Sequence, residues 1–470
     1  MLQFGSLSVV LSLLASTAFS VTYQYSDLGF GTKIYGVNLG SWLVLEPWMV
    51  PNEWLSMGGQ SCSDCSTCIA SEFAFAKAYP NTADSKFNQH WSSWFAQSDV
   101  DQLVGLGINA VRIPLGYWLV EPLVNRASEF YPRGGMKQLK RGLRQLNAAG
   151  IGAILDHHAL PGVQDPGQSF TGRCTQDVEF YTDYNYHRAL IWSAVMTALS
   201  HLDPDFSNVF AIEAVNEPIM NSAQTPGLST FYSNFVQVVR TVEAALGITN
   251  GNGLSAYNAN VTAALTSAMT MSGVNAEVAS VIKDAIPMLQ FAVTQTGVQS
   301  VLTSGTRPNR SPLTTMFMDR NWQYGNSPAN PADSANGKAL YDNHLYYSFG
   351  GVAAANPQAY MQSICNLNRV QSDAAYNNSP LIFGEWGLPT QFSATDSFLS
   401  MWADAQKLAY SQSGGWLFWN FKFEMSAAAG SYPRQWSYFE GVNRGYLTKD
   451  PSVLNNPDVC APYIANSTSK

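Results

Sequence analysis

Two glutamates at the ends of apolar runs are candidates for acid–base and nucleophilic chemistry. The run FAIEAVNEP (210–218) ends in Asn216 and Glu217, and PLIFGEWGL (380–388) contains Glu385 between two glycines. A partly buried glutamate near another negative charge can stay protonated near neutral pH and serve as a general acid. Capping of the next helix is the alternative role for Glu217. Paired carboxylates on facing strand ends cleave glycosidic bonds, with retention at about 5–5.5 Å and inversion at wider separations.

Arg112 is the candidate partner for the nucleophilic carboxylate. It lies between Val111 and Ile113, in an apolar setting that disfavours the alternative of a surface salt bridge. A guanidinium there is suited to hydrogen-bond and stabilise an ionised carboxylate. The other two carboxylates at such positions, Asp156 and Asp342, each precede a His or Asn, and we expect them to orient their neighbours.

Histidines also follow the apolar runs. His158 and His344 are candidates to donate to substrate hydroxyls or to the carboxylates, with a purely structural role as the alternative. His344 and Tyr346 are two residues apart, which places both side chains on one face of a strand. His157, His158 and His344 lack the close ligand spacing of a zinc motif, so we expect no metal site and no cofactor.

Aromatic residues are abundant, with 13 Trp and 22 Tyr. Most of them belong to the core, but aromatic faces also stack on sugar rings. We expect Trp419 and Trp386 to line a cleft, because each follows a strand run beside polar candidates. The chain has no GxSxG nucleophile elbow, no phosphate-loop motif and no dinucleotide fingerprint, which argues against those classes of enzyme.

Eight short apolar runs alternate with helical patterns and must position these side chains. The pattern predicts an α/β fold, a parallel (β/α)8 TIM barrel, whose chemistry lies at the C-terminal ends of the strands. The predicted strands are KIYGVNLGSW (33–42), NAVRIPLGYW (109–118), GAILDHHAL (152–160), FAIEAVNEP (210–218), LTTMFMDRNW (313–322), ALYDNHLYY (339–347), PLIFGEWGL (380–388) and GWLFWNFKFE (415–424).

Two segments exceed a minimal barrel. Residues 51–90 are expected to form a long loop after strand 1 with three cysteines, and residues 248–310 an insertion between strands 4 and 5. The insertion contains a helical run at 274–292 and is interpreted as a lid, a wall of the cleft or a passive decoration. No linker divides the chain, so residues 21–470 are predicted to be a single catalytic domain.

The ends and composition of the chain indicate secretion. Leu7 to Ala18 has the length of a signal-peptide apolar region and Ala18-Phe19-Ser20 supplies small residues for cleavage, so residues 1–20 are predicted to be a signal peptide. The formal net charge of −8 argues against nucleic-acid or membrane partners. We therefore expect a secreted protein of the extracellular space or cell wall, acting as a monomer.

Cysteines and sequons fit the same compartment. In an oxidising environment the six cysteines are expected to form disulfides between distant segments, with fifteen possible pairings. Sequons at Asn260, Asn309, Asn377 and Asn466 fit a glycoprotein.

The ordered set GVNLGSWLVLEPWM, NAVRIPLGYW, VNEP, DNHLYY, FGEWG and GWLFWNFK resembles the fungal β-glucanases of glycoside hydrolase family 5, from about residue 30 to 424. The resemblance implies a (β/α)8 barrel with retaining chemistry, with Glu217 as acid/base and Glu385 as nucleophile. It also implies further active-site or substrate-binding residues: Glu46, Arg112, His158, Asn216, His344, Tyr346 and Trp419. Glu46 matches a substrate-contacting glutamate of exo-acting members.

One motif departs from that family. The third strand reads LDHHALPG, in which Ala159 replaces the usual glycine. The segments FNQHWSSWF, FYTDYNYHRALIW and FMDRNWQYG resemble the endo-β-1,6-glucanases more than the exo-β-1,3-glucanases. The resemblance therefore implies a β-glucan substrate and endo-β-1,6-glucanase activity. The alternatives are an exo-β-1,3-glucanase, a transglycosylase using the same residues, and a non-catalytic glucan-binding barrel.

Overall fold

The computed structural model of the protein describes residues 31–248, 258–309, 311–323 and 337–464. The predicted signal peptide and the sequon at Asn466 lie outside these residues. In the described part of the chain, every helix is too short or too polar to cross a bilayer.

Eight parallel strands close into a barrel in sequence order, which confirms the predicted strand count and fold class. Each strand pairs with the next along the chain, and β1 also pairs with β8. The strands are β1 Ile34–Asn38, β2 Ala110–Gly116, β3 Gly152–Ala159, β4 Val209–Glu213, β5 Thr314–Gln323, β6 Ala339–Leu345, β7 Leu381–Trp386 and β8 Gly415–Phe418.

Helices surround the barrel because their apolar faces must be buried against the outer face of the sheet. In the helix from Gly135 to Ala148, the buried Met136, Leu139, Leu143 and Leu146 recur at helical spacing. The helices are α1 Pro51–Met57, α2 Glu72–Ala78, α3 Ala83–Trp94, α4 Gln97–Gly105, α5 Gly135–Ala148, α6 Asp183–Leu202, α7 Leu228–Ala245, α8 Val261–Ala268, α9 Ala276–Gln295, α10 Pro357–Cys365, α11 Arg369–Ala375, α12 Asp396–Tyr410, α13 Pro433–Trp436 and α14 Tyr438–Asn443.

The interior of the barrel is apolar at one end and polar at the other. Toward the N-terminal ends of the strands, a small core of inward side chains includes Ile154, Met316 and Leu417. The next layer of side chains is polar and fully buried. It consists of Asn38, Arg112, Asp156, Glu213 and Asp342, from five different strands. Buried polar groups of this kind must be paired with one another, so the barrel supplies a preformed electrostatic base for the strand ends above it.

The segment after β1 differs from the predicted long loop. Residues 51–90 contain α1, α2 and the first part of α3 and are therefore mainly helical. Pro51 at the first position of α1 and Ser71 at the N-cap of α2 explain the two starts, since the Ser71 hydroxyl accepts a hydrogen bond from the backbone of Ala74. All three cysteines lie in the stretch between α1 and α2.

The six cysteines form three disulfides, and the expectation that all join distant segments is wrong for one of them. Cys65–Cys174 and Cys365–Cys460 join residues 109 and 95 positions apart, whereas Cys62–Cys68 lies within the cluster. The single 3₁₀ turn at Cys65–Thr67 brings the Cα atoms of Cys62 and Cys68 to 6.6 Å, close enough for a bond.

The insertion between β4 and β5 lies on the outer ring of helices. Its helix α9 confirms the predicted helical run and packs against α6 and α7. His187 of α6 lies 2.8 Å from Glu277 and 3.1 Å from Asp284, both on α9. Because no described residue of the insertion lines the central cleft, these residues fit a decoration of the outer surface better than a lid or wall.

Candidate active site

Glu217 lies four residues beyond Glu213, the last residue of β4. Its backbone adopts a left-handed conformation with φ of 42°, which is uncommon for a residue with a side chain. The Glu217 N–H donates to the Met318 sulfur at 3.0 Å and helps to hold this conformation. The carboxylate reaches His344 Nδ1 at 2.6 Å, and 14% of the side chain is exposed. A fixed carboxylate with partial access is suited to exchange a proton with a bound molecule.

Glu385 faces the barrel interior because of an irregularity in β7. Along the β6–β7 ladder Asn343 pairs with Phe383 and His344 pairs with Glu385, so Gly384 is an extra residue, a β-bulge. A Cβ on Gly384 would come within 2.0 Å of the Asp342 carboxylate, so only glycine fits there. The bulge turns Glu385 inward, where its buried carboxylate faces the tip of Glu217.

The two glutamates and His344 form a tight group. One carboxylate oxygen of each of Glu217 and Glu385 and one nitrogen of His344 all lie within 4.8 Å of one another. So close an approach is nearer to the separation of about 5–5.5 Å in retaining glycosidases than to the wider separation of inverting ones, which leaves room for a water between the carboxylates.

Arg112 holds the base of the site together. Its guanidinium donates to Glu385 Oε1 at 2.9 Å, to Glu213 Oε2 at 2.8 Å and to Asn216 Oδ1 at 2.7 Å. Asp156 Oδ2 lies 3.1 Å from the same group. The side chain is fully buried, so these charge-assisted contacts are formed out of water and fix the position of Glu385.

The charge on Glu385 reflects opposing influences. Burial raises the pKa of the Glu385 carboxyl and the nearby Glu217 raises it further, while His344 and Arg112 lower it. Burial alone would lower the pKa of His344, but Glu385 and Asp342 raise it well above its ordinary value. The surrounding carboxylates therefore favour the protonated form of His344. Tyr346 completes the surroundings of Glu385, since its hydroxyl donates to Oε2 at 2.9 Å.

Two polar groups point toward the cleft with an unused donor or acceptor. Asp156 accepts from His158 Nδ1 at 2.6 Å, and the His158 ring stacks on Trp419 with centroids 5.6 Å apart. Within the described residues, His158 Nε2 and Asn216 Nδ2 have no hydrogen-bond partner although both are buried. Buried polar atoms of this kind gain a partner when a ligand with hydroxyl groups enters.

These residues lie in a cleft of about 630 Å³ at the C-terminal ends of the strands. Loops after β6, β8 and β1 give one side a mainly aromatic wall, with Phe349, Trp419, Trp436, Tyr432 and Trp48. The other side is formed by the loops after β3 and β4 and by the end of β5, with Asp165, Gln168, Ser169, Phe170, Met220 and Trp322. Flat rings beside hydrogen-bonding groups form a surface that fits sugar rings.

Glu46 lies on the aromatic side of the cleft. Its carboxylate accepts a hydrogen bond from Trp48 Nε1 at 2.9 Å. Burial raises the pKa of Glu46 to about 7, against the effect of His158 and the Trp48 hydrogen bond. Glu46 is thus protonated over the acidic range and can donate to as well as accept from a hydroxyl.

The structure brings together all nine candidate residues named from the sequence. Seven of them line the cleft, Arg112 donates to Glu385, and His344 contacts Glu217. The expectation for Trp386 is wrong. The bulge that turns Glu385 inward turns Trp386 outward, where it is fully buried and packs against Tyr410 and Trp416.

His157 also lies away from the site, because it alternates with His158 along β3. Its ring stacks on Trp192 of α6 with centroids 4.0 Å apart. The three histidines considered as a metal set therefore do not converge. Glu217, His344 and Glu385 have a spacing that could hold a metal ion, although hydrogen bonds from Arg112 and Tyr346 already occupy both oxygens of Glu385.

Sequence reasoning missed several residues that line the cleft or support it. Asp165, Gln168 and Tyr432 lie on loops with no motif of their own, and Glu213 is hidden inside the apolar run FAIEAVNEP. An acidic residue at an inward position of a strand, two residues before a turn, was the one signal that could have identified Glu213 as a partner of Arg112.

Comparisons with known proteins agree with this geometry. Residues 76–424 match the sequence profile described as Cellulase (glycosyl hydrolase family 5). A protein of Emericella nidulans named Glucan endo-1,6-beta-glucosidase B is 31% identical over 467 residues. This alignment covers 96% of this chain and 94% of the Emericella nidulans protein. A Candida oleophila protein named Glucan 1,3-beta-glucosidase is 32% identical over 228 residues, 48% of this chain and 50% of its own. Among solved structures, rutinosidase from Aspergillus niger matches with a TM-score of 0.56 at 17% identity, covering 89% of this chain and 98% of that chain. At this identity the likeness concerns the fold.

Proposed function

Because the chain belongs to glycosyl hydrolase family 5, we propose that it is a secreted, retaining β-glucanase that cleaves β-1,6-linked glucan internally. In this proposal Glu217 is the acid/base and Glu385 is the nucleophile. The observation that carries it is the approach of both carboxylates and His344 to within 4.8 Å at the floor of one cleft. Among the described carboxylates of the cleft, Glu385 is the one that Arg112 contacts.

In the first step Glu385 attacks the anomeric carbon while the bond to the leaving oxygen breaks and Glu217 gives that oxygen its proton. Arg112 on Oε1 and Tyr346 on Oε2 hold the attacking carboxylate in one orientation. The product is a glycosyl ester on Glu385 and a released sugar with a new hydroxyl.

In the second step Glu217, now ionised, removes a proton from a water molecule. The water oxygen attacks the anomeric carbon and Glu385 leaves as a carboxylate, so the configuration is retained. Arg112, His344 and Tyr346 stabilise the charge that returns to Glu385, as preorganised donors aimed at a developing charge do in general. Asn216 and His158 supply the unused polar atoms for hydroxyls of the sugar.

The β-1,6 linkage is supported by the relatives. The Emericella nidulans protein, named for endo-1,6 activity, aligns with nearly the whole chain, whereas the Candida oleophila protein, named for 1,3 activity, aligns with about half. Three disulfides and fungal glucanase relatives support an extracellular location. Exo-β-1,3-glucanase activity is the second candidate, favoured by the cleft position of Glu46.

Digestion of linear β-1,6-glucan beside linear β-1,3-glucan tests the function directly. We expect oligosaccharides of several lengths from the β-1,6 polymer and little release from the β-1,3 polymer. Glucose alone from the β-1,3 polymer would instead support the exo-acting candidate. Binding without cleavage of either polymer would indicate a non-catalytic barrel.

The roles of the two glutamates are tested by Glu385→Gln and Glu217→Gln. Each variant should lose nearly all hydrolysis while keeping the thermal unfolding temperature of a folded protein. Glu277→Gln on the exposed face of α9 is the matched control, since it makes the same chemical change away from the cleft. Full activity in either active-site variant would refute its assigned role.

A further inference from the structure

The loop after β3 carries three polar side chains that face the cleft and have no partner in the protein. Asp165, Gln168 and Ser169 line the cleft on the side of Glu217. Among the described residues, none of these three side chains forms a hydrogen bond or an ion pair. The mechanism above uses none of them. Polar side chains without partners at the wall of a binding cleft are positioned to bind a polar ligand.

The loop holds Asp165 in a fixed position. The side-chain amide of the preceding Gln164 donates to the backbone oxygen of His158 at 2.7 Å and to that of Asn216 at 3.1 Å, which joins the ends of β3 and β4. The Tyr181 hydroxyl donates to the backbone oxygen of Gln164 at 2.8 Å and accepts from the Ile219 N–H at 2.8 Å. The backbone that carries Asp165 is therefore held in place without a ligand, which reduces the cost of ordering the loop on binding.

The same loop is held from a second direction. Cys65 and Cys174 form a disulfide that attaches it to the segment after β1. The Gly167 N–H also donates to the Thr175 oxygen at 2.7 Å. Residues 165–170 are therefore anchored at both ends, so the position of Asp165 belongs to the architecture of the cleft.

Asp165 lies on the side of the cleft where the leaving group departs. Glu217 gives its proton to the leaving oxygen. Residues on the far side of Glu217, away from Glu385, therefore face the departing sugar. The Gln164 amide donates to the Asn216 oxygen, so Asp165, which follows Gln164, lies beside Glu217, which follows Asn216. Burial and the Glu217 carboxylate together raise the pKa of Asp165 to about 7, in agreement with this placement. The aromatic wall with Trp419 follows β8, which is four strands away from β4 around the barrel.

We propose that Asp165 binds a hydroxyl group of the sugar that departs on cleavage, with Gln168 and Ser169 completing this leaving-group subsite. The inference rests on the proposed glycoside hydrolysis and adds a substrate contact to it. A sugar hydroxyl is both donor and acceptor, and it matches a carboxyl group that can act as either. The same subsite would bind a second sugar as acceptor when the glycosyl ester on Glu385 is transferred to a hydroxyl other than water.

Two substrates with the same glycone and different leaving groups test the proposal. One is a short β-1,6-linked gluco-oligosaccharide, and the other is 4-nitrophenyl β-gentiobioside, whose leaving group has no sugar hydroxyls. Asp165→Ala should lower kcat/KM for the oligosaccharide by about 10- to 100-fold, the range for one hydrogen bond to a charged group. It should leave kcat/KM for the aryl glycoside unchanged. Asp165→Asn, which keeps the volume and hydrogen-bonding capacity, should lose less on the oligosaccharide.

Asp177→Asn is the matched control, because Asp177 is an exposed carboxylate on the same loop and lies outside the cleft. It should behave as the unsubstituted enzyme on both substrates. Equal losses on the two substrates in the Asp165 variants, or no loss on either, would overturn the inference while leaving the proposed function intact. If the unsubstituted enzyme cleaves neither substrate, the proposed function itself fails. Thermal unfolding of each variant separates a local effect from misfolding.

Discussion

Replacement of Tyr346 by phenylalanine removes one atom from the site, the hydroxyl that donates to Glu385 Oε2 at 2.9 Å. The ring itself would remain, with its contacts to Phe349 and Trp436 at centroid distances of 5.7 and 5.4 Å. The variant therefore isolates the hydrogen bond from the packing of the cleft wall. We expect a folded enzyme in which the carboxylate of Glu385 is less well stabilised.

A hydrogen bond to a charged group contributes about 1.5–3 kcal/mol. In the proposed mechanism Glu385 regains its negative charge when the glycosyl ester is hydrolysed. Loss of the Tyr346 donor should therefore slow that step by about 10- to 100-fold, at about 1.4 kcal/mol per factor of ten. The same loss favours protonated Glu385, whose pKa burial already raises. The acidic limb of the rate profile should therefore move upward by about 1–2 pH units.

Stopped-flow kinetics with 4-nitrophenyl β-gentiobioside measures both effects. The Tyr346→Phe variant should show a burst of nitrophenol followed by a slow steady state, because the ester accumulates. Tyr347→Phe is the control, since it removes a hydroxyl bonded to Ser363 at 3.0 Å on the opposite face of the chain. A Tyr346→Phe enzyme with the original kcat and an unmoved acidic limb would refute the role given to this hydroxyl.

Two further predictions concern stability. Burial raises the pKa of Glu72 to about 8. Between about pH 4.5 and about pH 8 the folded state therefore keeps a proton that the unfolded state has lost. The free energy of unfolding should fall over this range by about 1.4 kcal/mol per pH unit. Urea unfolding of Glu72→Gln at both ends of this range should show a flatter dependence, and an identical slope would contradict the assignment. Replacing both Cys65 and Cys174 with serine should lower the free energy of unfolding by about 5 kcal/mol, because this disulfide joins residues 109 positions apart. The same change at Cys62 and Cys68, which are 6 positions apart, should lower it by about 2 kcal/mol. Equal losses would contradict this account.

Much of the fold could be predicted from the sequence because each strand is a local pattern. Apolar, β-branched runs of limited length that alternate with amphipathic segments predict a parallel barrel, and the barrel itself brings Glu217 and Glu385 together. Arg112 could be predicted because a cation in an apolar run needs a buried anion. These features depend on neighbours in the chain or on the symmetry of the barrel.

Other features depend on contacts that no local pattern encodes. The bulge at Gly384 reverses the alternation of β7, so Glu385 faces inward and Trp386 outward, and the sequence shows only a glycine there. The position of Asp165 depends on Gln164 and Tyr181, which join segments distant along the chain. Disulfide pairing likewise depends on which segments meet in space, as the short Cys62–Cys68 bond illustrates.

The contacts of Arg112 also bear on the order in which the protein can become active during synthesis. Its partners extend from Asn38 on the first strand to Glu385 on the seventh. A ribosome releases Arg112, Asp156 and Glu213 long before Glu385, so the central cation has several partners early and gains its contact with Glu385 only after most of the chain has emerged. Translation products that stop before residue 385 would lack the carboxylate that faces Glu217. Catalytic competence should therefore appear late and all at once, after nearly the whole polypeptide has been made.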